Sequence, residues 1–334
     1  MSSNVSFLFS GQGSQKSGII QEIAGDNKAA QDEIMSYAEQ ALGKSVAYAC
    51  LSHNAMTATN DVAQCATLFA DLLHYRLVLE AGIVPYQVSG LSIGEWPALV
   101  AAGALSAVKA FELVFRRGLI TEITSTRRNG AMAAIIGLNC DQVESICVLA
   151  KETSDKGKVL VLANYNTAHE IVISGDKLLV EQAAAMAKEA GARRVVPLPI
   201  NGGFHSSLMD DAALLMTESL QGVKFQPLTT PFYSSTWGRR VDDPSMIRAM
   251  LCAQLNSSTY MSKTIQAMRR DGATDFCEIG PGTSLVGFAR RSFNICETCG
   301  IREGEPRVDN NLPYGTHCDK CAEALVTTAR ERSW

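Results

Sequence analysis

The sequence has no strong excess of charge of either sign. Its 30 lysine and arginine residues and 34 aspartate and glutamate residues leave a formal net charge of -4 at pH 7. A basic surface is what draws a protein to nucleic acid or to anionic lipid, so this balance argues against both kinds of partner. We therefore expect no nucleic acid and no membrane among the binding partners.

Long hydrophobic runs are also missing. The N-terminal stretch MSSNVSFLFSGQG has no basic segment before its short apolar run. The most apolar later stretch, 97–108, is shorter than the roughly 20 residues that span a bilayer. Hydrophobic residues make up 46% and charged residues 19% of the 334 residues, a composition typical of soluble globular enzymes. The sequence predicts a cytoplasmic protein.

Cysteine is scattered through most of the chain but concentrated near its end. Six of the ten cysteines lie in apolar or helical patterns, where small buried thiols are expected. The other four form two C-x-x-C pairs, Cys296 with Cys299 and Cys318 with Cys321, separated by eighteen residues. In a chain without a secretory signal this spacing favours a structural zinc site over a disulfide framework. We expect a zinc-ribbon tail over 294–334.

The stretch GLSIGEW, residues 90–96, lies between a strand-like pattern and a helical pattern. A Gly-x-Ser-x-Gly pentapeptide lets a chain leave a strand, turn sharply with the serine at the apex, and enter a helix. A serine hydroxyl becomes a good nucleophile only when a base can take its proton. The pattern therefore predicts that Ser92 is a nucleophile with a base within hydrogen-bonding reach.

Few residues could be that base, because the chain has only five histidines. His205, in NGGFHSSLM, is the best placed, since it follows a predicted strand and two glycines and precedes a predicted helix. An attacked carbonyl also needs donors for its negative oxygen, and backbone N–H groups serve this purpose well. Ile93 in the turn and Gln12 in the loop GQGSQ could supply them, although GQGSQ taken alone is more typical of a simple polar turn.

A pair of arginines follows in FRRG, residues 115–118, on the next predicted helix. One of the two is expected on the solvated face of that helix. If the other points inward, its planar guanidinium can bind a carboxylate through two parallel hydrogen bonds. Such a residue would select an acyl group that bears a free acid.

The order of predicted elements indicates an α/β fold in two parts. From about residue 131 the pattern reads β-α-β-β-α-β, which is typical of a ferredoxin-like unit. Alternation of strands and helices resumes after it, so we interpret the unit as an insertion. We predict an α/β-hydrolase-like large domain with a parallel sheet over 1–129 and 200–293, a ferredoxin-like subdomain over 130–199, and the zinc-ribbon tail over 294–334.

Seven motifs, in their order along the chain, resemble those of the malonyl-CoA:acyl carrier protein transacylases of fatty-acid and polyketide synthesis. The resemblance covers roughly residues 5–293 and is carried by GQGSQ, GLSIGE, RRG, GAMAAIIGL, NYNTAHEIVISG, FHSSLM and EIGPG. It implies that malonyl-CoA acylates the serine, that CoA leaves, and that the phosphopantetheine thiol of an acyl carrier protein then takes the malonyl group. Catalysis of this kind uses no metal or organic cofactor.

The resemblance also implies a role for each matching residue. Ser92 is acylated, His205 acts as general base and then as general acid, and the amides of Gln12 and Ile93 form the oxyanion hole. Arg117, directly before Gly118, binds the malonyl carboxylate. A further match concerns selectivity: Phe204 resembles the bulky residue that, in malonyl-selective members, leaves no room for an α-methyl group.

Three departures from the family pattern keep alternatives open. Leu91 stands where many members have histidine. The resulting sequence GLSIG is closer to that of the transacylase subunit of malonate decarboxylase systems, which stays an alternative. The segment LNSSTYM places Tyr260 where a glutamine commonly orients the histidine, a change that is tolerable if a main-chain carbonyl does the orienting. The cysteine-rich tail is an addition that could dock a carrier protein or partner subunit. A serine thioesterase or hydrolase, and a scaffold with vestigial catalysis, are the remaining alternatives.

Overall fold

The computed structural model of the chain describes residues 4–13, 18–51, 59–152 and 154–292. Within these ranges the chain forms two β-sheets, one of five strands and one of four. No helix in the described ranges is both long and apolar enough to cross a membrane. The predicted zinc ligands Cys296, Cys299, Cys318 and Cys321 lie outside the described residues.

Nine strands and twelve α-helices are found in the described part of the chain. The strands are β1 (Val5–Phe9), β2 (Gln87–Gly90), β3 (Gly130–Ile136), β4 (Leu160–Thr167), β5 (Glu170–Asp176), β6 (Arg194–Pro197), β7 (Phe232–Ser234), β8 (Arg239–Val241) and β9 (Asp275–Ile279). The helices are α1 (Ile19–Ala24), α2 (Lys28–Leu42), α3 (Lys44–Leu51), α4 (Asn60–Glu80), α5 (Glu95–Ala101), α6 (Ala107–Arg127), α7 (Cys140–Glu152), α8 (Lys177–Glu189), α9 (Asp210–Ser219), α10 (Pro244–Ala253), α11 (Met261–Arg270) and α12 (Ser284–Ser292).

The five-stranded sheet has the order β8-β7-β2-β1-β9, in which β7, β2, β1 and β9 run parallel and β8 is antiparallel to β7. Phe9, the last residue of β1, is in register with Gly90 on one side and with Ile279 on the other. The carboxyl ends of these strands therefore meet at one edge of the sheet. In open α/β sheets this is the edge where functional loops gather, and here it brings the loop after β1 next to the turn after β2.

The four-stranded sheet is antiparallel and has the order β4-β5-β3-β6. Its chain order is strand, helix, strand, strand, helix, strand, with α7 and α8 as the two helices. Both helices pack on this sheet and enclose a separate apolar core that includes Ile135, Val143, Ile173 and Leu179. Burying one such aliphatic side chain is worth about 1.5–3 kcal/mol relative to leaving it exposed.

The long helix α6 decides which arginine of the FRRG pair faces inward. Ser106 caps it by accepting a hydrogen bond from the N–H of Lys109 at 3.2 Å, a favoured use of serine at a helix start. Apolar residues such as Phe111 and Val114 recur at helical spacing along its buried face. Arg117 continues that face with 1% of its surface exposed, whereas the Arg116 side chain is 53% exposed.

Candidate active site

The turn after β2 holds Ser92 at its apex. Ser92 and the residues up to Gly94 form a single 3-10 turn that leads directly into α5, and Ser92 itself has a φ of 53°. A Cβ atom on Gly90 would lie 2.0 Å from the Gly94 carbonyl oxygen, and one on Gly94 would lie 2.4 Å from the Phe9 carbonyl oxygen. Only glycine fits both positions, so the two glycines permit the tight strand-turn-helix path that presents the serine.

The imidazole of His205 contacts the hydroxyl of Ser92. Its Nε2 lies 3.0 Å from Ser92 Oγ, and its Nδ1 lies 3.0 Å from the carbonyl oxygen of Ser257. A carbonyl oxygen can only accept, so we assign the ring proton to Nδ1. This tautomer leaves the lone pair of Nε2 free to accept the serine proton. The backbone of His205 is held as well, since its N–H donates to the Leu255 carbonyl at 2.8 Å and its φ is 61°.

The environment keeps the imidazole of His205 uncharged. Burial lowers its pKa to about 4, and the nearby positive charge of Arg117 contributes to the decrease. The hydrogen bond to the Ser257 carbonyl acts in the opposite direction because it stabilises the imidazolium form. Near pH 7 the ring is therefore neutral and able to take a proton.

Arg117 places a third polar group beside the same hydroxyl. Its Nη2 donates to Ser92 Oγ at 3.4 Å, its Nε to Gln254 Oε1 at 3.1 Å, and its Nη1 to Gln64 Oε1 at 2.6 Å. Burial lowers the pKa of this guanidinium to about 9, while the charge of Glu95 opposes that decrease. Arg117 thus remains a buried cation at pH 7, and its neighbour Arg116 pairs instead with Glu112 on the surface.

Glu95 and Gln254 connect these groups to the rest of the fold. Glu95 is fully buried and accepts from Ser234 Oγ at 2.8 Å, from the Thr236 N–H at 3.0 Å and from Thr236 Oγ1 at 2.8 Å. The amide nitrogen of Gln254 donates to Glu95 and also to the Ser92 carbonyl, the latter at 2.9 Å. Because its amide oxygen accepts from Arg117, Gln254 links the carboxyl group of Glu95, the guanidinium of Arg117 and the turn that holds Ser92.

The predicted oxyanion donors belong to two neighbouring segments, the loop after β1 and the turn that holds Ser92. The N–H of Leu91 donates to the Phe9 carbonyl at 3.1 Å, which holds the turn against the end of β1 and the loop of Gln12. The Gln12 side chain is fixed by a 2.9 Å hydrogen bond to Asn60. Ile93 follows Ser92 directly and is buried at 1% exposure. A Cβ atom on Gly11 would lie 3.0 Å from the Leu91 carbonyl oxygen, so the loop that continues to Gln12 approaches this turn. The role of the two amides stays a prediction.

Phe204 precedes His205 and is buried in the main apolar core at 4% exposure. Chain connectivity makes Phe204 the neighbour of His205, and packing holds its ring in that core. The described residues contain no group of three or more histidine, cysteine, aspartate or glutamate side chains that could hold a metal ion.

Sequence reasoning missed several residues of this site. Gln64, Glu95 and Gln254 were not singled out, because a glutamine or glutamate within a helical pattern is ordinarily solvated and only tertiary packing shows otherwise. Tyr260, at the expected position of an orienting glutamine, instead stacks on Tyr165 with ring centroids 5.1 Å apart. The group at the Nδ1 atom of the histidine is a main-chain carbonyl, so the tyrosine does not remove the orienting contact.

Comparisons with known proteins show which family the chain is similar to. The family model described as acyl transferase domain matches residues 6–301. The malonyl CoA-acyl carrier protein transacylase of Bacillus subtilis is 33% identical over 305 residues, covering 91% of this chain and 95% of that protein. The one from Escherichia coli strain K12 is 31% identical over 300 residues, covering 89% of this chain and 95% of that protein.

Solved structures show the same similarity. The crystal structure of the MCAT from Streptococcus pneumoniae has a TM-score of 0.77 at 33% identity and covers 86% of this chain and 92% of that chain. A malonyl-transacylase in complex with its type II PKS acyl-carrier protein has a TM-score of 0.80 at 28% identity, covering 87% of this chain and 94% of that chain.

Proposed function

Because the chain belongs to the acyl transferase family, we propose that it transfers a malonyl group from malonyl-CoA to the phosphopantetheine thiol of an acyl carrier protein. The observation that carries this proposal is the position of Arg117. Its guanidinium is buried and lies 3.4 Å from the hydroxyl of Ser92, which His205 contacts from the other side. A buried cation beside the acylated atom favours an acyl group that brings its own negative charge.

The first half-reaction forms a malonyl ester on Ser92. His205 Nε2 takes the hydroxyl proton while Oγ attacks the thioester carbonyl carbon of malonyl-CoA. The carbonyl oxygen becomes negative and accepts hydrogen bonds from the backbone N–H groups of Gln12 and Ile93. When the intermediate collapses, the carbon–sulfur bond breaks and the imidazolium of His205 returns its proton to the CoA sulfur, so that CoA leaves as a thiol.

The second half-reaction reverses these steps with another thiol. The phosphopantetheine thiol of the carrier protein gives its proton to His205 and attacks the ester carbonyl carbon. The carbon–oxygen bond to Ser92 then breaks, and Oγ recovers a proton from the histidine. Throughout, Arg117 holds the malonyl carboxylate by two parallel hydrogen bonds, which positions the ester carbonyl at the nucleophile.

An intact-mass experiment tests the proposal. Incubation with malonyl-CoA should add one malonyl group to the protein, and Ser92→Ala should abolish the adduct. Addition of a holo acyl carrier protein should then move the malonyl group onto the carrier. Loss of the adduct to water at an equal rate with and without carrier would identify a hydrolase instead, and transfer only to the carrier subunit of a malonate decarboxylase would identify that system.

Selectivity for malonyl over methylmalonyl groups is a second part of the proposal. It is supported by the burial of the bulky aromatic side chain of Phe204, the residue that precedes His205 in the chain. Competition between malonyl-CoA and methylmalonyl-CoA should give mainly the malonyl adduct. Phe204→Ala should lower the ratio of malonyl adduct to methylmalonyl adduct. Equal acylation by the two esters in the unsubstituted protein would reject this role for Phe204.

We also propose the finer domain organisation. The strand order β4-β5-β3-β6 and the chain order of this sheet support a ferredoxin-like insert over 130–199 within an α/β-hydrolase-like domain over 1–129 and 200–293. The four cysteines of 294–334 are proposed to hold a structural zinc ion, and a cytoplasmic location remains our expectation. Metal analysis of the full chain, compared with a variant in which Cys318 and Cys321 are serine, tests the zinc site.

A further inference from the structure

The segment 257–260 joins the four-stranded sheet to the active site. It lies beyond the end of α10 and runs alongside β4, so that Thr259 pairs with Asn164 in a parallel bridge. The Thr259 N–H donates to the Ala163 carbonyl at 2.8 Å, and the Thr259 carbonyl accepts from the Tyr165 N–H at 2.8 Å. The segment therefore forms an isolated β-bridge with the edge strand β4.

Side-chain hydrogen bonds add to the two backbone hydrogen bonds that hold segment 257–260 against β4. Asn164 Nδ2 donates to Thr259 Oγ1 at 2.6 Å, and both residues are buried, at 6% and 0% exposure. Next to this pair, Ser258 Oγ donates to the Leu162 carbonyl at 2.8 Å. A buried hydrogen bond that loses one partner leaves the other unsatisfied, so the Asn164–Thr259 pair strongly resists separation.

The other side of the same segment faces the reacting groups. The Ser257 carbonyl accepts the hydrogen bond from His205 Nδ1 at 3.0 Å. The Tyr260 N–H donates to the Ser235 carbonyl at 2.6 Å, and Ser235 Oγ in turn accepts from the N–H of Ser92 at 3.4 Å. A shift of this short segment would therefore move the acceptor of the histidine and a contact of the nucleophile together.

We propose that Asn164 and Thr259 are positioning residues for the general base. Their buried hydrogen bond fixes segment 257–260 to β4 and so holds the Ser257 carbonyl against Nδ1 of His205, which keeps Nε2 aimed at the serine hydroxyl. The inference rests on the proposed role of His205 as base. It also gives the hydroxyl-rich sequence NSST, which departs from the family pattern, a function in the site.

Acylation rates of matched variants test the role. Thr259→Val removes the hydroxyl but keeps the shape, and it should slow acylation on the order of tenfold, because small displacements of catalytic groups are costly. Asn164→Ala should have the same effect from the other partner, and the double variant should be no slower than either single variant. Thr259→Ser should restore the rate, and Thr217→Val, which removes a hydroxyl bonded only to the Ala213 carbonyl within α9, should leave it unchanged.

Three readouts separate positioning from a merely structural role. The loss should be equal for malonyl-CoA, for acetyl-CoA and for a serine-directed fluorophosphonate, since the base serves all three reagents. The downfield NMR signal of the His205 Nδ1 proton should broaden or vanish in Thr259→Val but not in Thr259→Ser. Rates are taken per folded molecule, with the folded fraction measured by circular dichroism.

Two results would overturn the inference: unchanged fluorophosphonate labelling in both Thr259→Val and Asn164→Ala, or a loss confined to malonyl-CoA. If Thr259→Val does not fold, the same readouts on Asn164→Ala decide whether the Asn164–Thr259 hydrogen bond positions the base. A chain that is labelled by the fluorophosphonate but never by malonyl-CoA would refute the proposed function. The labelling rates of the variants would still decide the role of Asn164 and Thr259.

Discussion

The two sheets differ in where they place polarity and strain. Around the parallel sheet, charged side chains such as Glu95 and Arg117 are almost fully buried. Ser92 and His205, the two non-glycine residues with left-handed φ in the described part of the chain, lie in loops beside it. The antiparallel sheet and its helices instead enclose a core of aliphatic side chains, alanine and Cys147, and the buried side chains on its strands that are polar, such as Asn164 and Ser174, carry no charge. Strain and buried charge are costly, so their concentration on one side marks that side as the one with a chemical task.

The difference has an energetic consequence for substitutions. Each guanidinium nitrogen of Arg117 donates to an acceptor, because an unpaired buried charge costs several kcal/mol, and in the proposed reaction this arrangement serves catalysis rather than stability. In the antiparallel sheet, stability comes from close apolar packing, where lost volume is the main cost. Substitutions near the parallel sheet should therefore change rates, and those in the other core should change stability.

The largest effect is expected from removing the base. His205→Ala should lower the rate of acylation by malonyl-CoA about 10³- to 10⁴-fold, because general base catalysis and activation of the serine are lost together. His169→Ala, at the turn before β5 of the other sheet, is the matched control and should leave the rate unchanged. Single-turnover mass measurements check both variants, and comparable losses in the two would contradict the contrast.

The neighbouring arginines provide the next comparison. Arg117→Ala should reduce malonyl transfer about 10²- to 10³-fold. In the proposed reaction the malonyl carboxylate loses its cationic partner, and truncating one partner of a buried charge pair costs about 2–5 kcal/mol. Acetyl transfer lacks the carboxylate and should fall far less. Arg116→Ala removes only a surface pair with Glu112 and should change neither reaction. Measuring kcat/KM for both CoA esters checks this, and equal losses for malonyl and acetyl groups in Arg117→Ala would reject the carboxylate contact.

How much of this site the sequence could predict depended on how local each feature is. The elbow of Ser92 is set by glycines within five residues, and the inward face of Arg117 by the period of a single helix. Gln254, by contrast, reaches the site only because the end of α10 approaches the nucleophile turn, and no local pattern records that approach. The same reason explains why the contact that orients His205, a carbonyl of a distant loop, had no sequence signal.

The burial of His205 should also change the pH dependence of acylation, with a smaller effect on the rate than the substitutions above. The neutral imidazole is the active form, so the rate falls as pH drops through the pKa of His205, which burial lowers to about 4. We expect kcat/KM to stay level from neutral pH to about pH 5, well below the usual histidine range. Arg117→Ala, assayed with acetyl-CoA, should shift this acid limb upward because a positive charge beside the ring is gone. A limb near 6.5 in the unsubstituted protein would show that the base is solvated.

The smallest effect on rate is expected from the apolar core of the antiparallel sheet. Leu179 on α8 is 3% exposed and packs in that core, so Leu179→Ala should lower the free energy of unfolding by about 2–5 kcal/mol. Helix α8 contacts β3, β5 and β6, whereas β4 is the strand that holds segment 257–260. Acylation per folded molecule should therefore stay at the unsubstituted rate while the denaturation midpoint falls. If acylation slows at a temperature where the variant is fully folded, the antiparallel sheet would support the site through its whole core, and the separation between the two sheets would fail.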